Sequence, residues 1–161
     1  MRTDPVRIEA LAPTFHAWGT LLALLHEAFE YQRERIDPPS SLYALDEARL
    51  AVKAAEERVF VAWEGGALVG CVFAKDTGAS VYLGKLAVLP RLQGGGVGRR
   101  LVQAVEVHAR ACGRKVVELE TRIELLENRL TFESYGFQKI AESAHPGYAR
   151  PTSIRMSKRL D

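Results

Sequence analysis

Cysteine is scarce in this 161-residue chain, which holds two, Cys71 and Cys112. They stand far apart in apolar stretches, in no CxxC pair and with no neighbouring histidine, so they make neither a zinc site nor a disulfide framework. Both read as core residues of a protein at home in the reducing cytoplasm, and no metal is expected. An excess of either charge is missing too. The 22 Lys and Arg face 20 Asp and Glu, for a formal net charge of +2, and no long single-sign run occurs. That speaks against a nucleic-acid partner, which wants a basic stripe with interleaved aromatics. Long apolar runs are also absent: nothing approaches the roughly 20 residues of a bilayer-spanning helix. The opening Met1-Arg2-Thr3-Asp4-Pro5 lacks the apolar stretch of a secretory signal. No membrane partner is expected.

What is present is ordinary in amount. Apolar residues make up 47% of the chain and charged ones 26%, in a length that suits one domain, 1–161, with a real core. Residues 6–11 alternate and read as an edge strand stopped by Pro13. Leu21, Leu22, Leu25, Ala28 and Phe29 then fall at helical spacing. They predict a helix from Thr14, a possible cap, to near Arg35, short of Pro38-Pro39. A second helix is expected over 46–57 with Asp46 as its cap. Residues 58–63 and 67–75 form a hairpin around Gly65-Gly66, and a further strand covers 80–88. Val97, Leu101, Val102, Val105, Ala109 and Cys112 line one face of a helix that Gly113 ends. A strand over 115–121, a helix of about a dozen residues ending before Gly136, and strands over 138–142 and 153–156 complete the chain. The sum is an α/β (α+β) domain with a mixed, mostly antiparallel sheet. Within it, 80–121 is a strand–turn–helix–strand unit, which makes its two strands parallel neighbours with the turn at their ligand-binding end.

That turn carries the chemistry. In Gln93-Gly94-Gly95-Gly96-Val97-Gly98, four glycines permit positive φ and let a ligand approach the backbone without meeting a Cβ. Exposed N–H groups leading into a helix start make an anion cradle. Arg91, Arg99 and Arg100 flank it, and a pyrophosphate is the obvious guest. The P-loop pattern is absent, since no Lys-Ser or Lys-Thr follows. The dinucleotide fingerprint fails as well, because the third glycine it requires would stand at Arg99.

The stretch Leu86-Ala87-Val88-Leu89-Pro90-Arg91-Leu92-Gln93-Gly94-Gly95-Gly96-Val97-Gly98-Arg99 resembles the signature of the GCN5-related N-acetyltransferases (GNAT): an apolar strand followed by Q/R-x-x-G-x-G/A. Phe132-Glu133-Ser134-Tyr135-Gly136-Phe137 resembles that family's helix-ending Y-x-x-x-G-F. The resemblance implies a GNAT fold, a sheet with a splayed central parallel strand pair and flanking helices. It implies transfer of an acetyl group from acetyl-CoA to a primary amine of a small molecule or peptide, by direct attack. The pyrophosphate would lie on the amides of Gln93, Gly94, Gly95, Gly96, Val97, Gly98 and Arg99. The pantetheine would lie along Leu86, Ala87 and Val88, with Asn128 and Phe132 beside it, and the Val88 N–H would meet the thioester oxygen. The usual tyrosine proton donor is replaced by Phe132, which cannot donate. That makes Tyr135 a candidate in its place, and a non-catalytic acyl-CoA-binding module the alternative reading. As base, Glu120 is preferred over Glu118 on the same strand face, because it lies nearer the carboxyl end. His145 is a further candidate, since histidine titrates near neutrality. The loop over 31–41, which in this family closes over the acceptor, offers Tyr31, Glu34, Asp37 and Ser41, and the 144–152 loop offers Tyr148. Members of this family often dimerise, so a homodimer is an expectation as well.

Overall fold

A computed structural model describes residues 5–161; residues 1–4, part of the opening stretch read above, lie outside the described residues. The elements in order are β1 (Val6–Ala10), α1 (Trp18–Phe29), α2 (Glu47–Glu56), β2 (Arg58–Glu64), β3 (Ala67–Asp76), β4 (Val81–Val88), α3 (Val97–Ala111), β5 (Val116–Arg122), α4 (Leu126–Ser134), β6 (Gln138–Ser143) and β7 (Ser153–Arg159). The strands form one seven-stranded sheet in the order β1-β2-β3-β4-β5-β7-β6. Every pairing is antiparallel except β4 with β5. The mixed sheet and its single parallel pair are as the sequence predicts.

Helices cover both faces of the centre. α3 packs Val97, Leu101, Val102, Val105 and Ala109 against Val69, Val72, Val81, Leu83, Val117 and Leu119. On the opposite face, α1 and α2 bring Leu21, Leu24, Leu25, Ala28 and Leu50 onto Val59, Val61, Cys71, Phe73 and Ala87. A strand buried on both faces has no solvent side to alternate with, which is why 68–74 (Leu-Val-Gly-Cys-Val-Phe-Ala) is a continuous apolar run. Gly70 in that run permits close approach: a Cβ there would stand 3.0 Å from the Ala87 carbonyl oxygen and 3.2 Å from Leu101 Cδ1.

Several boundaries differ from expectation. α1 begins at Trp18 behind Ala17, with no side-chain cap, so Thr14 does not cap it. Phe15 N–H instead donates to Ala12 O, in a turn that lays Phe15 edge-on against Trp18, 5.0 Å between ring centres. The helix stops at Phe29 rather than near Arg35, giving way to a 3-10 turn over Glu30–Gln32. α4 has nine residues, not a dozen, because fully buried Leu125 anchors the chain before its first turn. β7 runs on to Arg159 because β5 pairs with it along its whole length. Asp46 does cap α2, its Oδ1 accepting from Arg49 N–H at 2.8 Å. Cys71 is a core residue as expected. Cys112, expected in the core, is instead half-exposed at the end of α3 and sits 3.6 Å from His108 Nε2, one helical turn earlier. No described helix is long and apolar enough to cross a membrane.

Candidate functional site

The parallel pair β4–β5 holds together for two residue pairs, Val81 with Val117 and Tyr82 with Glu118, and then parts. The opening follows from an irregularity on the other side of β4. Phe73 of β3 faces Gly84 and Cys71 faces Ala87, so Lys85 and Leu86 together oppose Val72. Such a bulge bends and twists a strand locally. Here Lys85 sits at φ +50°, a left-handed backbone that a residue with a Cβ rarely adopts. Between the parted strands lies a cleft of about 340 Å³, walled by Tyr82 to Leu86 on one side and Leu119 to Arg122 on the other.

The glycine turn stands at the same end of the sheet. Gly94 and Gly96 have φ of +82° and +90°, as four consecutive turn residues rich in glycine predict. α3 starts at Val97, and its first amide bonded to the helix is Arg100, which donates to Gly96 O. The amides of Val97, Gly98 and Arg99 precede that bond and have no partner within the helix. With the positive end of the helix dipole behind them, they make a site for an anion. Gln93 turns its side chain inward, Nε2 donating to Val88 O at 3.0 Å, and so ties the turn to the end of β4. Of the flanking arginines, Arg91 pairs with Glu64 and Arg100 donates to Val6 O, while Arg99 remains at the turn over the Tyr135 ring.

The remaining predicted residues divide into groups. Leu86, Glu120, Asn128, Phe132, His145 and Ser41 line the cleft. Leu89 N–H donates to Val69 O, so the alternation of an antiparallel ladder turns the Val88 amide away from β3. The side chains of Ala87 and Val97 are buried in the core. On β5, Glu118 and Glu120 share a face as alternation requires. Arg155 lies 3.2 Å from Glu118 but 3.8 Å from Glu120, leaving Glu120 the less engaged of the two. The His145 ring and its backbone N–H both meet the hydroxyl of fully buried Thr152.

Tyr135 ends α4 outside the cleft lining. Its hydroxyl would stand 3.5 Å from a Cβ at Gly98, and burial pushes its phenol up from the ordinary value. Tyr31, Asp37 and Tyr148 likewise stand outside the lining, each engaged within the protein. Asn128 Nδ2 donates to Tyr31 Oη at 2.8 Å. Asp37 accepts from Tyr148 Oη at 2.6 Å and from Arg150 Nη2 at 3.0 Å. Together with Arg35–Glu127 and Arg122 donating to the carbonyls of Pro38 and Pro39, these contacts strap the 30–41 loop over the cleft mouth.

Among the lining residues missed in the sequence, Tyr82, Arg122 and Lys85 bear most on the chemistry. Tyr82 is pushed up to about 12, by burial first and the Glu120 charge second. Arg122 borders the cleft beneath the strap. Lys85 reaches Ser41 Oγ at 3.0 Å, and burial, then the charges of Lys53 and Arg122, push its ammonium down to about 8. A signal for Lys85 was available, since it is a charge amid the apolar strand 83–88 (Leu-Gly-Lys-Leu-Ala-Val).

A model of the acetyltransferase (GNAT) family matches residues 18–137. The chain belongs to the GNAT family. A relative described as an IAA acetyltransferase of Azospirillum brasilense is 34% identical over 102 residues, 62% of this chain. That match spans 65% of the relative's own length, a little short of two thirds. Among solved structures, an IAA acetyltransferase from Bacillus cereus superposes with a TM-score of 0.68 at 20% identity, covering 97% of this chain and all of the other. An acetyltransferase from Streptococcus agalactiae superposes at 0.75 with 18% identity, covering 96% and 98%. At such identities the superpositions establish the GNAT fold, with its parted β4–β5 pair and flanking helices.

Proposed function

We propose that this protein transfers an acetyl group from acetyl-CoA to a primary amine of a small molecule or peptide. One observation carries the reading: β4 and β5 part after two residue pairs, at the end of the sheet where α3 presents unbonded amides. A pyrophosphate suits those amides, and an extended amide-bearing arm suits the strand edges that the parting leaves unpaired. Gly94 to Arg99 would hold the pyrophosphate, while Leu86 and Val88 would take the pantetheine.

In this reading the Val88 N–H, turned away from β3, meets charge developing on the thioester oxygen. A donor fixed beforehand by a sheet needs no reorganisation during reaction. Glu120 accepts the proton that the attacking amine loses as the new C–N bond forms and the C–S bond breaks. His145 is a second candidate proton acceptor lining the cleft. Phe132 cannot protonate the departing sulfur, and Tyr135 beside Gly98 or a water supplies that proton. The two free thiols, Cys71 and Cys112, suit a reducing cytoplasm.

Phe132 also favours the alternative, a module that binds acyl-CoA without turning it over. Two measurements separate the readings: calorimetric titration with coenzyme A, and thiol release from acetyl-CoA with a panel of primary amines. Micromolar binding with amine-dependent thiol release is expected. Tight binding with no release on any amine would establish the module instead, and absence of binding would overturn both.

A further inference from the structure

The cleft is unevenly charged. Lys53, Lys85 and Arg122 line it, against a single carboxylate, Glu120. Lys53 is neutralised locally by Glu57 at 2.6 Å. Lys85 has the neutral Ser41 hydroxyl as its contact, and among the described residues no carboxylate lies within ion-pair distance of it. The guanidinium of Arg122 donates to the carbonyls of Pro38 and Pro39, and the carboxylates of Glu124, Asp37 and Glu120 act on its charge, so among the described residues Lys85 is the lining cation left without an ion pair. A partly buried cation without a counter-ion is costly in a folded protein. The strained backbone of the bulge holds this one where a ligand would meet it.

A second cavity, of about 370 Å³, opens off the cleft under the 30–43 segment and shares Phe29, Gln32, Ile36 and Ser40 with it. Its further wall sets Pro39, Leu42 and Tyr43 beside His26, Arg33 and Glu34, and the surface it presents is chiefly apolar. From the cleft, a ligand therefore meets a cationic corner at Lys85, a carboxylate at Glu120 and an apolar side room.

We infer that the acceptor is an amine that also carries a carboxylate and a large apolar side chain, such as free phenylalanine or leucine. Lys85 holds the carboxylate with Arg122 behind it, Glu120 faces the amine, and the annex takes the side chain. Polyamines and other polycations would bring like charge against Lys85 and Arg122. This rests on the acetyl-transfer reading and names its substrate class.

The test compares thiol release from acetyl-CoA with phenylalanine, leucine, phenethylamine, glycine and spermidine as acceptors. It is paired with calorimetric titration of phenylalanine into the coenzyme A complex. The expected result is that kcat/KM for phenylalanine exceeds that for phenethylamine, which lacks the carboxylate, and for glycine, which lacks the side chain, by at least about tenfold, the discrimination expected for a single well-placed contact. Lys85→Met should collapse the phenylalanine-to-phenethylamine ratio, and Lys85→Arg should keep it. Preference for phenethylamine or spermidine would overturn the substrate class while leaving acetyl transfer standing. Where no amine releases thiol, acetyl transfer falls and the titration decides the site. Phenylalanine binding abolished by Lys85→Met would support it, and no binding to the complex would overturn it.

Discussion

Lys85 offers a direct test of the cleft electrostatics without any ligand. Its ammonium is pushed down from the ordinary 10.5 to about 8, chiefly by burial. Below about pH 8 the folded and unfolded chains both carry the proton, so the folded state bears the full cost of the enclosed charge. As pH rises from about 8 towards 10.5, the folded chain sheds the proton while the unfolded chain keeps it. Stability therefore rises with pH through that window. A gap of this size corresponds to roughly 3 kcal/mol at most, and water in the cleft reduces it to roughly 1–3 kcal/mol. Lys85→Met retains the stem and loses the charge. At about pH 7 it should be the more stable protein by that amount, seen as a rise of roughly 3–9 °C in Tm for a domain of this size. Urea unfolding of both proteins, from about pH 6.5 to about pH 9.5, should show the gap shrinking by more than half as the wild type loses its proton. A gap that stays constant with pH, or a variant less stable than wild type at neutral pH, would refute the reasoning.

Five other substitutions probe the turn with the start of α3, the α4 helix and the packing. Gly96 lies at φ +90°, so Gly96→Ala should cost roughly 1–2 kcal/mol in thermal unfolding. Gly98 is helical with ordinary space for a Cβ, so Gly98→Ala should instead stabilise by roughly 0.5–1 kcal/mol. Gly96→Glu should weaken coenzyme A binding by at least about tenfold in calorimetry, through negative charge at a phosphate cradle; unchanged affinity would move the pyrophosphate elsewhere. Phe132→Tyr places a hydroxyl on the cleft wall and should raise kcat for amine-dependent thiol release, and an unchanged or lower kcat would show that the sulfur needs no donor at that position. Gly70→Val would drive side-chain atoms into the Ala87 carbonyl and Leu101, and urea unfolding should show a loss of roughly 1–3 kcal/mol or more.

Much of the fold was legible because its determinants are local. The hairpin over 58–75, the amphipathic α3 with its glycine stop and the Asp46 cap all depend on residues within a few positions of one another. Chain ends of helices were less legible. Thr14 is a suitable cap by type, yet Phe15 is drawn under Trp18 and the helix starts later. Arg91 and Arg100 flank the glycine turn in sequence and turn away to Glu64 and Val6 in space.

By itself, then, the sequence determined the glycine turn, the parallel unit that presents it and the family it resembles. Repeat spacing and backbone freedom are written into neighbouring residues. Tertiary structure decided which of the candidate polar groups face the cleft and which are tied up elsewhere. Tyr31 and Asp37 became parts of a strap because their partners, Asn128 and Tyr148, lie 97 and 111 positions away. Lys85 became an unpaired cation of the cleft because a bulge, opened by the register between β3 and β4, brings it from a buried strand to Ser41. Such contacts join residues remote in sequence, and their geometry exists only once the sheet has assembled.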